Sequence, residues 1–347
     1  WMFYKNEKFN HSLNAWDTAN LQYTSFMFRD SKFNGAIGDW DTSKLALTSG
    51  MFMGDKAFNR SLANWDVSNV SDFEGMFQDA DAFNQSLATW DMTSARNIAS
   101  MFRDSNFNSS VANWNLDKAT NLAAVFANSA FNQPLTGWKT PSMNSAVAMF
   151  SGATAFNQDL SGLDIHNMTD ALWIFDNSGL SPANYSKLLN AWSEAPHKNN
   201  VRFSAWGVKY TLGGKTARDL LIAPVAEGGS HWDLVDGGLL VVQTPTITTP
   251  PVAGDLTFGQ DLTYSNLTGG VASVPGTFAY KSPSTVPGGG VHSETVVFTP
   301  TDDVNYASVE FSVNVTVAKA DRSLIGNLLG VVPWLFNSLF DASAHAS

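Results

Sequence analysis

Apolar residues recur at nearly fixed intervals along the first half of the chain. The first apolar residues of successive Met-Phe, Val-Phe or Ile-Phe pairs lie 24 or 25 residues apart, at Met2, Met27, Met51, Met76, Met101, Val125, Met149 and Ile174. A Phe-Asn pair follows in seven copies, and Trp stands seven residues after its Phe in the first six copies, with Leu163 in the seventh. This period predicts a solenoid, in which neighbouring repeats stack and bury one continuous core.

Two spacings alternate within a repeat. Residues 87–92 have the apolar spacing of a short strand, like the core of a leucine-rich repeat. Val70, Phe73, Met76 and Phe77 fall at i, i+3, i+6 and i+7, which favours a short helix. The pattern therefore predicts an α/β solenoid that is leucine-rich-repeat-like, with one short strand and one short helix per repeat and a parallel sheet along the array.

Asn and Trp recur at positions that predict structural ladders along the solenoid. An Asn follows the Phe in all seven copies, at Asn10, Asn34, Asn59, Asn84, Asn108, Asn132 and Asn157. The indoles lie at Trp16, Trp40, Trp65, Trp90, Trp114 and Trp138. We expect each Asn amide to bond the backbone of a tight turn on its own or the next repeat. The alternative is a polar row that binds a ligand.

A row of carboxylates follows the Trp row. It comprises Asp17, Asp41, Asp66, Asp91 and Asp164, with Asn115 and Lys139 as departures. Turns or helix N-termini suit these residues, because Ser or Thr follows two positions later in several copies. A calcium row is the alternative, but a shared ion row tolerates Lys poorly. No metal site and no cofactor is predicted.

The repeat pattern ends after Phe175, so residues 1–175 form the predicted array. Residues 176–240 contain a predicted helix with Ser181 as N-cap and Pro182 at its first position, followed by a strand, a second helix and a final strand. These elements are expected to seal the end of the core, as terminal repeats must.

Composition changes after residue 240. Residues 241–253 are rich in Pro and Thr and predict an extended linker. Residues 254–319 show short alternating strands with Gly and Pro turns, which predicts a small all-β Ig-like sandwich. Residues 320–347 form an apolar tail with no charge from Leu324 to Phe340. Packing on the protein or on a neighbour is favoured for this tail, and membrane contact or a disordered end are the alternatives.

The repeated motif "AFNQSLATWD" and its variants, with the closing segment "LSPANYSKLLNAW", resemble the BspA-type repeats of bacterial surface proteins and mycoplasma lipoproteins, which are relatives of the Treponema-type leucine-rich repeat. The resemblance covers residues 1–240. "FTPTDDVNY" and "VTVAKA" resemble bacterial Ig-like modules that repeat in large adhesins. These resemblances imply an extracellular or cell-surface location, a role in adhesion and a spacer domain, and they carry no catalytic site.

Charge and cysteine content narrow the classes of partner. The net charge is −11, which argues against nucleic acid or an anionic membrane as the main partner. The chain has no Cys, which excludes disulfides and Cys-ligated metals.

Residues that could carry chemistry are scattered. The six His are isolated, and Glu74, Asp79 and Asp81 are carboxylates of the kind that cleave polysaccharides on other solenoids. They are ordinary exterior residues, so no enzyme is predicted. Thr18, Thr42 and Thr140 share a position but alternate with apolar residues, which argues against a flat ice-binding row.

Two functions remain open. The favoured one is a non-enzymatic adhesion or binding protein of the cell surface or exterior, whose partner is a host or neighbouring-cell protein or glycan. Its contact candidates are Tyr4, Tyr23, Gln85 and Gln133. The alternative is a subunit of an extracellular filament or surface layer that binds copies of itself. It would assemble through the first repeat, which starts inside the pattern unless more repeats precede it, and through the tail residues Leu328, Leu329, Trp334, Leu335 and Phe336.

Overall fold

The computed structural model describes residues 1–303 and 305–319. It divides into two compact units with a boundary after Leu240. The five assembly residues predicted in the tail, between Leu328 and Phe336, lie outside the described residues. Within the described ranges, no helix is both long enough and apolar enough to cross a bilayer.

The repeats of the first unit stack in parallel register. Single-residue parallel bridges join the same position of neighbouring repeats from Tyr23 to Leu47, Asp72, Asn97, Asn121, Ser145 and Asp170. Phe rings of neighbouring repeats also stack, with centroids 5.6 Å apart between Phe52 and Phe77 and 5.9 Å apart between Phe58 and Phe83. Each buried Phe contributes about 1.5–3 kcal/mol relative to an exposed one. The aromatic columns therefore stabilise the stacking of neighbouring repeats.

The predicted short helix is absent from the repeats, because the first helix among the described residues begins at Pro182. Residues 73–80 instead form successive turns. The N–H groups of Met76 and Gln78 close such turns onto the carbonyls three residues earlier, at 3.0 and 3.1 Å. The alternate N–H groups, such as those of Gly75 and Phe77, donate to the next repeat at 2.8 and 3.0 Å.

Positive φ angles explain why no helix forms there. Gly75 has a φ of 58° and Asp79 a φ of 57°, and other repeats also have positive-φ residues four positions apart. An α-helix needs negative φ at every residue, so the chain cannot wind further. The inward direction of Phe73, Met76 and Phe77 is the same in both conformations, and all three side chains are buried.

The predicted strand over residues 87–92 is also replaced by a turn. The Trp90 N–H donates to the Leu87 carbonyl at 3.1 Å, so Leu87 and Trp90 both reach the core from a bent backbone. The parallel pairing runs instead through the position of Asp72. The first strand of more than one residue is β1 (Asp170–Ala171).

The end of the first unit contains the predicted helices and strands. Helix α1 (Pro182–Glu194) begins after Ser181, whose Oγ accepts a hydrogen bond from the Asn184 N–H at 3.3 Å, which confirms the predicted cap. Strand β2 (Arg202–Ala205), helix α2 (Lys215–Ile222) and strand β3 (Asp233–Asp236) follow. The parallel order β1-β2-β3 continues the hydrogen bonding of the repeats.

The second unit is formed by antiparallel strands. The strands are β4 (Ile247–Thr249), β5 (Val252–Ala253), β6 (Leu267–Thr268), β7 (Val271–Ala272), β8 (Gly276–Tyr280), β9 (Gly290–Pro300) and β10 (Val309–Val317). One sheet has the order β10-β9-β8, and two further pairs join β4 to β7 and β5 to β6. The predicted linker at 241–253 therefore contributes two strands to this unit, because Ile247 and Thr249 pair with β7 and residues 252–253 pair with β6.

Candidate binding surface

The Asn row forms a continuous hydrogen-bonded ladder along the surface of the stack. Each Asn Oδ1 accepts the backbone N–H of the corresponding residue in the next repeat, at 2.6–3.2 Å, from Asn10 and Asn34 at one end to Asn157 and Ser181 at the other. These side chains are exposed or half-buried. Since their acceptors are used between repeats, they hold the repeats in register.

Two of the contact candidates belong to the same ladder. The Gln85 Nε2 donates to Asn59 Oδ1 at 2.9 Å, and the Gln133 Nε2 donates to Asn108 Oδ1 at 3.2 Å. Both Gln side chains are half-buried. Their amides support the ladder rather than standing free for a ligand.

The two Tyr candidates lie in the first repeat. Tyr4 is half-buried, and Lys5 Nζ lies 5.1 Å from its ring centroid. Tyr23 is 61% exposed and pairs with Leu47 through its backbone. Tyr23 is thus the more accessible of the two rings.

The Asp row caps turns. In Asp41 and Asp66 the carboxylate Oδ1 accepts hydrogen bonds from the N–H and the Oγ of the Ser two residues later, with N–H distances of 3.0 Å. The bonds from Ser43 hold the pKa of Asp41 below its usual range. No group of three or more His, Asp or Glu side chains that could hold a metal ion exists in residues 1–303 and 305–319.

The three carboxylates considered for catalysis have partners of their own. Lys56 Nζ pairs with both Asp79 and Asp81, and Glu74 Oε2 accepts from the Asn97 Nδ2 at 2.9 Å. These bonds link neighbouring repeats. The three carboxylates thus stabilise the contact between neighbouring repeats.

A buried polar cluster lies between α1, α2 and β3. The Asp236 Oδ2 accepts from the Arg218 Nε at 3.0 Å and from the Tyr185 hydroxyl at 3.3 Å, and its Oδ1 accepts from the Gly238 N–H at 2.9 Å. Burial, with the nearby Asp236 charge, raises the pKa of Tyr185 well above its usual value. Because each group has a partner, the cluster fixes the helices on the sheet.

One row of backbone positions carries small residues except at its ends. The first positive-φ residue of each repeat defines this row, here called the turn column: Phe26, Gly50, Gly75, Ser100, Ala124, Ala148 and Trp173. Trp173 has a φ of 60° and is 52% exposed. A bulky residue at positive φ is a genuine outlier, and an exposed indole also leaves apolar area in water.

A second exposed indole lies in the layer that follows the repeat of Trp173. Trp206 is 59% exposed and lies in the next layer of the stack, where its carbonyl accepts the Asn177 N–H at 2.9 Å. Asp176 lies between the two Trp residues along this surface. Its N–H closes a turn onto the Trp173 carbonyl at 3.3 Å, and its Oδ1 accepts from the Trp206 N–H at 2.8 Å and from Ser204 Oγ.

Unused polar groups accompany these indoles. Asp176 Oδ2 and the exposed Asn177 carboxamide make no hydrogen bond with the described part of the chain. We call Trp173, Asp176, Asn177 and Trp206 the indole platform. It offers apolar ring faces beside one free acceptor and one free amide, which suits a ligand with both an apolar side and polar hydrogens.

Sequence reasoning did not find the indole platform, since it considered as a row only the six Trp residues that follow the Phe-Asn pairs. A signal was present: Trp173 occupies a position where five other copies have Gly, Ser or Ala. That contrast marks a departure from what the stack requires.

A family model described as a Mycoplasma protein of unknown function, DUF285, matches residues 1–106 and 87–192. Together the two matches span residues 1–192 of 347, more than half of the chain. The chain belongs to the DUF285 family. This membership confirms the predicted relation to mycoplasma repeat proteins, whereas the BspA-type and Ig-like assignments stay predictions. No curated protein and no solved structure matches this DUF285 member.

Proposed function

We propose that the protein is a non-enzymatic binding protein of the cell surface or exterior, which presents its repeat stack to a glycan or a protein. The indole platform is the observation that carries this proposal. It combines two exposed Trp rings, a strained backbone at Trp173 and a carboxylate oxygen without a partner. Five of the seven turn-column residues are small, so the stack does not require a bulky side chain at Trp173.

The repeats give this surface rigid support. The Asp176 N–H and Oδ1 bonds fix the turn between the two indoles, and the Asn177 N–H ties it to the next layer. Rigid aromatic side chains lose little conformational entropy on binding, which is why Trp is enriched where binding energy concentrates. The second unit has the role of a spacer in this proposal.

The proposal is tested by screening the whole chain against glycan and extracellular-matrix arrays. We compare the wild type with a double variant, Trp173→Ala with Trp206→Ala, and with the control Leu212→Ala, which removes a side chain that is 73% exposed elsewhere. Loss of one central Trp typically weakens binding by about 2 kcal/mol or more, roughly 30-fold. We expect the double variant to lose binding and the control to keep it.

Thermal unfolding accompanies the screen. The double variant should unfold near the wild-type temperature, because both rings are more than half exposed and Ala has the same Cβ as Trp at the positive φ of residue 173. Equal binding by wild type and double variant would refute the indole platform as the site. The absence of any ligand on both arrays would refute the binding function itself.

A further inference from the structure

The Trp side chains inside the stack show how this protein binds an indole. Each indole N–H donates to an apolar residue's carbonyl in the preceding repeat, at 2.9–3.1 Å, in the pairs Trp40–Leu13, Trp65–Ile37, Trp90–Leu62, Trp114–Leu87 and Trp138–Val111. The same carbonyl accepts the backbone N–H of the Trp in its own repeat. Each carbonyl oxygen therefore uses both of its lone pairs.

The seventh repeat breaks this series. Leu163 stands where Trp is expected, so the seventh repeat supplies no indole to the carbonyl of Leu135. Among the described residues, that oxygen accepts only the Trp138 N–H, at 3.0 Å. Leu135 is 4% exposed, so one lone pair of a buried carbonyl is left without its usual donor.

A cavity of about 190 Å³ occupies the corresponding place between the sixth and seventh repeats. Leu135, Leu160 and Leu163 are buried residues of its lining, and Thr136 and Gly162 are exposed at its mouth. A Cβ at Gly162 would meet nothing within 4 Å. The cavity is therefore lined by both apolar and polar groups, with the three Leu side chains buried, and it is open to solvent at one side.

The charged group at the rim already has partners. Burial alone would raise the pKa of Asp159, but bonds from Lys187 and Ser161 outweigh it and bring the pKa to about 2. The Ser161 N–H donates to Asp159 Oδ1 at 2.9 Å, and Lys187 pairs with Oδ2. A ligand consequently has no unpaired charge to neutralise at the rim. The Leu135 carbonyl oxygen can accept a hydrogen bond from a neutral donor.

We propose that this cavity binds an indole ring supplied from outside the chain, either free indole or the side chain of a Trp residue on a partner. The ring takes the place of the missing seventh indole and donates its N–H to the Leu135 carbonyl. This site uses no residue of the indole platform, so its test is independent of the test of the proposed surface function.

The proposal is tested by calorimetric titration of the whole chain with indole and with benzothiophene, which has the same shape but no N–H. We expect one site for indole and roughly tenfold weaker binding of benzothiophene, the effect of one hydrogen bond. N-acetyl-tryptophanamide identifies the source: binding of both indole and this amide supports a partner's Trp side chain, and binding of indole alone supports the free molecule.

Two variants complete the test. Leu163→Trp fills the cavity from within, so it should abolish indole binding and raise the unfolding temperature. Trp90→Leu creates a second gap of the same kind beside the carbonyl of Leu62, so it should raise the stoichiometry from one indole to two. Absence of indole binding to the wild type would overturn the proposal, as would Leu163→Trp binding indole like the wild type or Trp90→Leu gaining no site.

Discussion

At the scale of single residues, polar side chains accept hydrogen bonds from the backbone of the next repeat, as the carbonyls of a neighbouring strand do in an ordinary sheet. Asn84, for example, lies outside any regular strand, and its Oδ1 accepts a hydrogen bond from the Asn108 N–H at 2.9 Å. A backbone N–H left without an acceptor is costly when water cannot reach it. A sequence with only 15% charged residues can thus stay ordered through amides, which form bonds that salt does not screen.

One residue departs from this neutral pattern inside the core. Asp55 is fully buried, whereas Ser105 and Ser129 occupy the same position in later repeats. The Asp55 Oδ2 accepts from Ser31 Oγ at 2.8 Å and from the Phe33 N–H at 3.0 Å. Burial raises the pKa of Asp55 from 3.8 to about 6, although these bonds oppose the change.

This difference predicts a pH-dependent stability. The folded state holds the Asp55 proton more tightly than the unfolded state, so the contribution to the free energy of unfolding is fully present below pH 3.8 and is lost as the pH rises through about 6. The difference amounts to about 3 kcal/mol. In urea titrations at several pH values, Asp55→Ser should gain stability relative to the wild type by this amount between pH 4 and 6.5.

Ser105→Ala provides the matched control for Asp55→Ser. It removes a buried hydroxyl that donates to the Phe102 carbonyl at 2.7 Å but retains Asp55, so its pH profile should run parallel to that of the wild type. Parallel profiles for Asp55→Ser and the wild type would contradict the account of Asp55.

At the scale of elements, the period was predictable from sequence and the backbone conformation was not. The spacing of Val70, Phe73 and Phe77 predicts which side chains point inward. It is compatible with a helix and with successive turns, so it does not distinguish between them. The positive φ angles that decide between them fall on Gly in only some copies and on Ser100, Ala124 or Ala148 in others. Residue identity therefore did not reveal the turn column.

The candidate sites were hidden for a related reason. Repetition identifies what the stack requires, and it assigned the six repeated Trp residues to one structural ladder. Trp173 and Leu163 were visible as departures, but whether a departure exposes a ring or leaves a cavity depends on neighbouring repeats. That Trp173 and Trp206 lie in successive layers needed the stack itself, because only Trp173 lies within the array.

The turn column yields a test at this scale. Ala124 has a φ of 54°, and neighbouring Ala123 is not among the positive-φ residues. Glycine tolerates positive φ, so Ala124→Gly should stabilise the protein by roughly 1 kcal/mol in chemical unfolding. Ala123→Gly should instead destabilise it by about 0.5–1 kcal/mol. If both substitutions destabilise the protein equally, the backbone at Ala124 does not have this conformation.

At the scale of the whole molecule, stability should depend on keeping the repeats in phase more than on their number. The stability of stacked repeats is approximately a sum of repeat and neighbour terms, so one complete repeat is removable. Deletion of residues 76–100 joins Gly75 to Met101 and brings Asn59 beside Asn108 and Phe52 beside Phe102. All the ladders then continue, and we expect one cooperative unfolding transition with lower stability and a smaller denaturant slope.

A shorter deletion tests the same idea from the other side. Removal of residues 76–88 takes away fewer core residues but joins Gly75 to Thr89, which places Trp90 near the position of a Met-Phe pair. The Asn and Phe columns are interrupted there, so buried N–H groups lose their acceptors and the aromatic stack is broken. Circular dichroism during urea unfolding should show this chain to be far less stable than the one lacking a full repeat. If the full-repeat deletion is the more damaging, then in-phase stacking is not what holds the molecule together.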